Sequence, residues 1–336
     1  MAMQKVGRIR KGGAFEICDA ETPQAGADDV IVEVGSCGIC GTDLAMFRED
    51  SAPDGAVLGH EFSGTVVSTG TAVTAIETGQ RVTVNPMVDY VGLGRVPGAF
   101  ARYVRVPSPE PGRNIFTLPD TIDDETGALI EPFAVALHAV NRSGARPGER
   151  AVIFGAGPIG LCVVAALRAR GVEEILAIDP SAKRRALAGT MGASAVHGPQ
   201  DGSSIAFVAG HFGSLSFPHI PDPVAQADMA FDCAGVEPAL RDALHSLSSG
   251  GRLVLVADPH DAALPDLRLV MLHELRVMGA LAYENEFSEA IDLLGRGAVD
   301  LSPLISHRFT LEELETAFRT QLDPEEAIKV LVRAAP

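Results

Sequence analysis

The apolar positions of roughly the first hundred residues fall in short runs that Gly and Pro interrupt. Runs at 30–34, 64–67, 81–84 and 100–106 have the length and spacing of β-strands rather than of amphipathic helices. This pattern predicts a compact β-rich domain at the start of the chain.

The pattern changes near residue 150, where apolar runs alternate with longer helical stretches. The first predicted elements are a strand at 151–154, a helix at 158–170, a strand at 174–179 and a helix at 182–191. Later predicted elements are strands at 227–232, 251–257 and 275–281 and a helix at 238–247. Strands that alternate with helices of this length are typical of a doubly wound parallel sheet, so an α/β domain is expected here.

Towards the end of the chain, two amphipathic stretches at 286–296 and 310–320 again predict helices. These closing helices are expected to return to the first domain. The predicted organisation is therefore a β-rich domain of residues 1–140 and 284–336, interrupted by a sheet domain of residues 141–283.

Residues 198–226 break the alternation, because several Gly, Pro and Ser occur where a crossover helix should lie. Only 203–209 has a helical pattern, and it is short. A long irregular loop inside a compact domain is uncommon and often functional. A shortened surface crossover with a few buried Phe side chains is the interpretation favoured here, and the role of the segment stays open.

Length, charge and cysteine content limit the function classes. A chain of 336 residues is too long for one core, in agreement with two domains. The formal net charge of −17 argues against binding to nucleic acid or to anionic membranes. No long apolar run predicts a membrane span, and the start lacks the apolar segment of a signal peptide. The five cysteines are scattered and odd in number, so a reducing, cytoplasmic setting is expected.

A glycine-rich motif, G-A-G-P-I-G, lies between the predicted strand at 151–154 and the helix that follows it. Glycines in this position allow a tight turn and a close approach of the backbone to a pyrophosphate, while the helix N-terminus offers N–H groups. A tight turn with no ligand is the competing interpretation. The residues predicted to bind a dinucleotide here are Gly155, Gly157, Pro158, Ile159 and Gly160.

Asp179 ends the second predicted strand about 20 residues beyond this motif, where an acid hydrogen-bonds the ribose hydroxyls of NAD. A carboxylate there also repels the 2′-phosphate of NADP, so NAD is the expected cofactor. Lys183, Arg184 and Arg185 follow and would weaken that preference, unless they form a solvated helix face. The solvated face is the interpretation favoured here.

A second group of candidates lies in two short motifs, C-G-I-C-G-T-D at 37–43 and G-H-E at 59–61. Thiolate, imidazole and carboxylate donors together favour a zinc site over a structural disulfide. Cys37 and Cys40 have C-x-x-C spacing, but no second pair completes a four-cysteine site, and a thioredoxin-like pair is the alternative. A catalytic zinc site would instead combine one of these cysteines with His60.

Glu131 lies just before the sheet domain and would complete such a set, although a single acid is more often an ordinary surface residue. His138 follows and is more often a packed helix residue than a ligand. A metal that polarises an oxygen and a dinucleotide that accepts hydride together indicate alcohol–carbonyl redox chemistry.

In their order and spacing these motifs resemble those of the zinc-dependent medium-chain dehydrogenases/reductases, and most of all the branch of sorbitol, 2,3-butanediol and threonine dehydrogenases. The matching segments are C-G-I-C-G-T-D, G-H-E-F-S-G, G-A-F-A-R-Y-V, E-P-F-A-V-A-L-H-A, G-A-G-P-I-G and D-C-A-G. The resemblance implies an α/β protein with a GroES-like β-rich catalytic domain and a Rossmann domain built on a doubly wound parallel sheet.

The resemblance also implies a set of zinc ligands. Cys40 and His60 would bind the zinc. The carboxylates of Glu61 and Glu131 would bind it directly or through water. Cys37 would pack nearby without touching the metal.

Further roles follow from the same resemblance. Asp43 would orient a zinc ligand, and Thr42 would bond the substrate oxygen and pass on its proton, so both would be catalytic beside the metal-binding Cys and His. Val135 and Ile159 fall where side chains should pack behind the nicotinamide. The implied reaction transfers hydride between NAD(H) and a small neutral secondary alcohol, diol or polyol, or the corresponding ketone. A homodimer or homotetramer is expected.

Two departures from the family pattern stand out. The segment from Pro86 to Pro97 contains no Cys, where family members usually carry a four-cysteine structural zinc lobe, so one catalytic zinc and no structural zinc are expected. Ala45 stands where many relatives have a His that continues a proton relay, so the proton must leave by another route. Phe47, two residues on, either lines the mouth of the substrate pocket or belongs to the core.

Two other functions are compatible with a dinucleotide fold. A zinc-free quinone or enone reductase would use NADPH and lack the metal ligands, so Cys40, His60 and Asp179 argue against it. A non-catalytic dinucleotide-binding protein would be expected to have lost those ligands, and here they are intact.

Overall fold

The structure is a computed structural model that describes residues 2–217, 223–258 and 267–334. Two compact units divide the chain, Met1–Pro132 with Phe287–Pro336, and Phe133–Glu286. The chain therefore leaves the first unit, builds the second and returns to the first. The domain limits at 140/141 and 283/284 stay a prediction.

Short strands dominate the beginning of the first unit. In chain order the elements are β1 (Met3–Arg10), β2 (Ala14–Glu21), β3 (Asp29–Gly38), α1 (Gly41–Glu49), β4 (Glu61–Thr69), β5 (Arg81–Val84), α2 (Pro86–Asp89), β6 (Tyr103–Pro107), β7 (Ile115–Thr117), α3 (Asp124–Ala128) and α4 (Ile130–Ser143). The predicted runs at 30–34, 64–67 and 81–84 lie within β3, β4 and β5, and the run at 100–106 overlaps β6. The antiparallel hairpin of β1 and β2 was not predicted.

The second unit alternates strands with helices. Its elements are β8 (Arg150–Phe154), α5 (Pro158–Ala169), β9 (Glu174–Ile178), α6 (Ala182–Thr190), β10 (Ala195–His197), α7 (Ser204–Phe212), β11 (Ser214–Leu215), β12 (Val224–Ala225), β13 (Ala227–Asp232), α8 (Glu237–His245), β14 (Leu247–Leu255), α9 (Leu267–Leu272) and β15 (Arg276–Gly279). Six of these strands form one parallel sheet in the order β10-β9-β8-β13-β14-β15. The predicted Rossmann architecture is confirmed.

The irregular segment contains a real crossover helix. α7 begins at Ser204, capped by the Ser203 hydroxyl, and ends at Phe212, so it is longer than the predicted 203–209. Phe212 is buried against the sheet, in agreement with a crossover that buries Phe. Residues 218–222 of this segment lie outside the described part of the chain.

The last part of the chain completes the first unit. Its elements are α10 (Glu286–Gly295), β16 (Ile305–Thr310), α11 (Leu314–Leu322) and β17 (Lys329–Arg333). β17 pairs antiparallel with β3 and parallel with β16, giving the order β16-β17-β3-β4-β5-β7, with β6 also paired to β3. The sequence predicted the helices but not these two strands. Within the described residues, no helix is long and apolar enough to cross a membrane.

An aromatic cluster fixes α1 and α11 in this unit. The Phe318 ring lies 4.5 Å from Phe15, 5.4 Å from Phe47 and 5.5 Å from Phe100 between centroids. Phe47 is only 6% exposed. Of the two interpretations of Phe47, the structure therefore supports the core residue.

Candidate metal centre and dinucleotide site

The motif at 37–43 encodes a helix start. Cys40 is the N-cap of α1, and its Sγ accepts the Thr42 backbone N–H at 3.5 Å. In return, the carboxylate of Asp43, three residues later, accepts a hydrogen bond from the Cys40 backbone N–H at 3.0 Å. This reciprocal capping box fixes the sulfur and the carboxylate at the N-terminal turn of the helix. Both side chains are thus placed by local sequence.

The strand register brings the second motif to the same place. Glu61 at the start of β4 is paired with Gly38 at the end of β3, so His60 and Glu61 lie beside the turn that leads into α1. A side chain at Gly38 would displace the Glu61 carboxylate, because a Cβ at this position would lie 2.3 Å from it. Gly59 has a φ of +95°, in the left-handed region that favours glycine.

His60 and Asp43 form a buried pair. The His60 Nδ1 lies 3.4 Å from Asp43 Oδ1, with the two side chains 4% and 1% exposed. Neither atom has a well-aligned hydrogen bond within the described residues. A histidine whose one ring nitrogen faces a carboxylate presents the other nitrogen to a metal, which is the usual arrangement around zinc.

The electrostatics of this pair fit metal binding. Burial disfavours the charged imidazolium, but Asp43 and Cys40 together outweigh burial and raise the pKa of His60 well above its usual value. Burial also raises the pKa of the Cys40 thiol, with contributions from the charges of Glu61 and Glu131, while His60 opposes the rise. Zinc binds a neutral imidazole and a thiolate, so its binding here must displace protons.

Glu61 has a buried partner that the motifs did not reveal. Lys329, at the start of β17, is only 2% exposed, donates to the Ile39 carbonyl at 3.0 Å and forms an ion pair with Glu61 Oε2. Burial lowers the pKa of Lys329, but Glu61, with smaller contributions from Cys40 and Glu131, more than compensates and raises the pKa above its usual value. A single Lys inside the otherwise apolar run 327–332 was the only sequence signal for it.

The structure gathers the predicted ligands incompletely. Glu131 lies in the first turn of α4 and is buried. Within the described part of the chain, no three His, Cys, Asp or Glu side chains already form a metal cage. The residues nevertheless fit a zinc ion. Their sulfur, nitrogen and oxygen atoms are the donors that zinc prefers, and His60 Nδ1 and Asp43 Oδ1 are buried without a hydrogen-bond partner among the described residues.

The neighbouring residues divide into buried and accessible ones. Cys37 is fully buried, and burial raises the pKa of its thiol well above the usual value, which suits a packing residue. Thr42 is exposed on the first turn of α1, where its hydroxyl can meet a substrate. Ala45, one turn later, is half-buried and offers no proton acceptor.

The glycine motif forms a tight turn between β8 and α5. Gly155 follows β8 with a φ of +93°, and Gly157 is the N-cap of α5 with no side chain over the helix end. A Cβ on Gly160 would lie 1.8 Å from the Gly155 carbonyl oxygen, so only glycine permits this close turn. Val135 and Ile159, predicted behind the nicotinamide, are half-buried.

Asp179 is tied to this turn. One carboxylate oxygen accepts the Ala156 N–H at 2.7 Å and the other accepts the Ser181 N–H at 2.8 Å. The guanidinium of Arg184 also lies beside the glycine turn. A Cβ built on Gly157 would lie 3.6 Å from it. Arg185 instead donates to the Asp179 and Pro180 carbonyls. The basic residues after Asp179 are therefore not simply a solvated face.

Comparison with known proteins gives two matches to family models. Residues 26–120 match the alcohol dehydrogenase GroES-like domain, and residues 158–296 match the zinc-binding dehydrogenase family.

Individual relatives cover nearly the whole chain. Sorbitol dehydrogenase from Bos taurus is 30% identical, over 94% of this chain and 91% of its own. The crystal structure of 2R,3R-butanediol dehydrogenase from Bacillus subtilis is 30% identical, with a TM-score of 0.88 over 99% of this chain and 100% of that chain. A putative zinc-binding dehydrogenase from Sinorhizobium meliloti 1021, bound to NADP, is also 30% identical, with a TM-score of 0.85 and the same coverage.

Proposed function

Since this chain belongs to the zinc-dependent medium-chain dehydrogenases/reductases that oxidise alcohols and polyols, we propose that it transfers hydride between NAD(H) and a small neutral secondary alcohol, diol or polyol, or the corresponding ketone. The observation that carries this proposal is the buried pair of His60 and Asp43 beside Cys40 at the N-terminus of α1. That geometry presents a sulfur and an imidazole nitrogen for a single metal ion.

We propose that Cys40, His60, Glu61 and Glu131 hold one zinc per chain. Asp43 keeps the His60 ring in place, and Lys329 binds one oxygen of Glu61 and leaves the other for the metal. When bound, zinc supplies Lewis acidity that lowers the pKa of an alcohol. No structural zinc is proposed, because the segment 86–97 contains no Cys.

Thr42 is proposed to accept a hydrogen bond from the substrate hydroxyl and to pass the proton to water, since it is exposed and Ala45 offers no relay. Thr42→Val keeps the size and removes the hydroxyl. It is expected to lower kcat by about 10²-fold or more, the usual contribution of a positioned proton-transfer group. Steady-state kinetics measures this, and an unchanged kcat would place the proton route elsewhere.

We propose that the glycine turn binds the pyrophosphate and that Asp179 binds the ribose, which selects NAD over NADP. The Sinorhizobium meliloti relative binds NADP, and Arg184 lies beside the glycine turn, so the cofactor preference of this chain depends on Asp179. Asp179→Ser is expected to change the kcat/KM ratio of NADP to NAD in favour of NADP by about 10–100-fold, because it removes a charge that repels the 2′-phosphate.

A matched variant controls for charge alone. Asp201→Ser removes an exposed acid that lies 3.7 Å from Arg185 and does not touch the glycine turn. It is expected to leave the cofactor ratio unchanged. The assignment of Asp179 is wrong if both variants shift the ratio equally, or if neither does.

The proposed activity is tested by a screen of diols, polyols and secondary alcohols for NAD reduction, with the zinc content of the same sample measured. Activity with about one zinc per chain supports the proposal. An active protein with no zinc would indicate the zinc-free reductase, and two zinc ions per chain would contradict the single-metal site. The homodimer or homotetramer stays a prediction, which light scattering measures.

A further inference from the structure

A cavity separate from the metal centre lies in the first unit. Its volume is about 440 Å³, within the range of small-molecule pockets. None of the residues proposed to bind zinc or the dinucleotide lines it. Its walls are mostly apolar and include Val6, Val57, Val96, Pro97, Ala101 and Val104.

One face of β1 brings a positive charge to this cavity. Gln4, Val6 and Arg8 alternate along the strand, so their side chains point to the same side, and all three line the cavity. Arg8 is half-buried, and its Nε is fully buried with no hydrogen-bond partner in the described residues. Because this Nε has no accessible surface, a ligand in the cavity would meet Arg8 through the terminal nitrogens of its guanidinium, and an acceptor there would offset the cost of the partly buried charge.

The expected internal partner of Arg8 is engaged elsewhere. Glu16 lies directly opposite Arg8 in the β1–β2 register. Its carboxylate instead accepts from the Arg10 Nε at 2.7 Å, and Arg10 also pairs with Asp54. Within residues 2–217, 223–258 and 267–334, no ion pair therefore neutralises the charge of Arg8.

Three of the other polar side chains that line the cavity are already used or repel anions. The Gln4 amide makes two hydrogen bonds to the Tyr103 backbone, at 3.3 and 2.7 Å. Arg105 is paired with Asp29 at 3.2 Å. Glu21 also lines the cavity and is exposed, so it adds a negative charge at the rim. A ligand with one negative charge suits this arrangement better than one with two.

We propose that this cavity binds a small organic monoanion, a carboxylate on a short apolar chain. The carboxylate would meet the planar guanidinium of Arg8, which matches two carboxylate oxygens at once. The chain would lie against the apolar walls around Val57 and Val96. An anion with no apolar part would lose its hydration there without gaining contacts.

Isothermal titration calorimetry of the zinc-loaded enzyme with hexanoate tests the proposal. Saturable binding is expected, with much weaker binding of hexanamide, which lacks the charge, and of inorganic phosphate, which lacks the chain. Arg8→Gln is expected to weaken hexanoate binding by about tenfold or more, the scale of a charge-assisted hydrogen bond. Lys5→Gln is the matched control, because it removes an exposed charge from the other face of β1 and should leave binding unchanged.

Ala20→Leu provides a second variant that keeps every charge. Ala20 lines the cavity from β2, so the larger side chain should occupy part of the space and weaken hexanoate binding even if Arg8→Gln does not fold. The proposal is overturned if the wild-type protein shows no saturable binding, or if hexanoate binds Arg8→Gln as well as the wild type. The latter result would indicate binding at the metal. Neither result bears on alcohol oxidation, which the activity screen decides separately.

Discussion

Cys40→Ser is expected to lose the bound zinc and to lower kcat/KM for alcohol oxidation by about 10³-fold or more, since Lewis-acid assistance supplies several kcal/mol. Serine is a suitable replacement because its hydroxyl is also a good N-cap acceptor for the Thr42 N–H. The start of α1, and with it Asp43, should therefore stay in place. The loss then reports on the missing thiolate rather than on a frayed helix. Zinc content by mass spectrometry and steady-state kinetics measure both effects.

Cys37→Ala is the matched control for this experiment. Cys37 lies three residues earlier in the same motif but is fully buried in the core. Its replacement is expected to keep the zinc and the activity and to lower the free energy of unfolding by about 1 kcal/mol, as core substitutions commonly do. Equal zinc loss from both variants would mean that the two cysteines act as a pair, the alternative that their C-x-x-C spacing left open.

In the candidate metal centre, the sequence indicates the placement of those residues that their neighbours in the chain hold in position. Cys40 and Asp43 are placed by a capping box that extends over only four residues. Likewise, the glycine turn lies between a strand and the helix that directly follows it, so its geometry can be inferred from a short segment. In both cases the local structure needs these residue types, so the residue types indicate the structure.

The non-local part was missed for a physical reason. The Nζ of Lys329 bonds the carbonyl of Ile39, 290 residues away in the chain. Nothing near Lys329 indicates that partner, because strand pairing in β17 and β3 creates the contact. The same reason explains why the sequence did not predict strands β1, β2, β16 and β17. A strand gains most of its stability from neighbouring strands, which its own local sequence pattern does not contain. The helices α5, α6 and α8 of the second unit were predicted because their hydrogen bonds are local, whereas the short α9 was not.

Lys329→Met is expected to have the largest effect on stability, a loss of about 3–5 kcal/mol in the free energy of unfolding, because it leaves the Glu61 carboxylate buried without its cation. Glu61 is 1% exposed, so water does not replace the lost partner. Urea unfolding in the presence of a chelator measures the effect while no metal compensates the carboxylate. Arg333→Met is the matched control, since Arg333 lies on the same strand in an exposed pair with Glu125 and should cost at most about 1 kcal/mol.

The double variant Lys329→Met with Glu61→Gln decides between a charge effect and a packing effect. If the unpaired charge causes the loss, the neutral glutamine should restore most of the stability, and the two changes together should cost less than Lys329→Met alone. If the loss comes instead from the packing of the Lys329 side chain, the double variant should be as unstable as the single one or more so. The first result would mean that Lys329 allows a carboxylate to be buried behind the cysteine and histidine, where the proposed zinc needs it. A cost no larger than that of Arg333→Met would contradict both explanations.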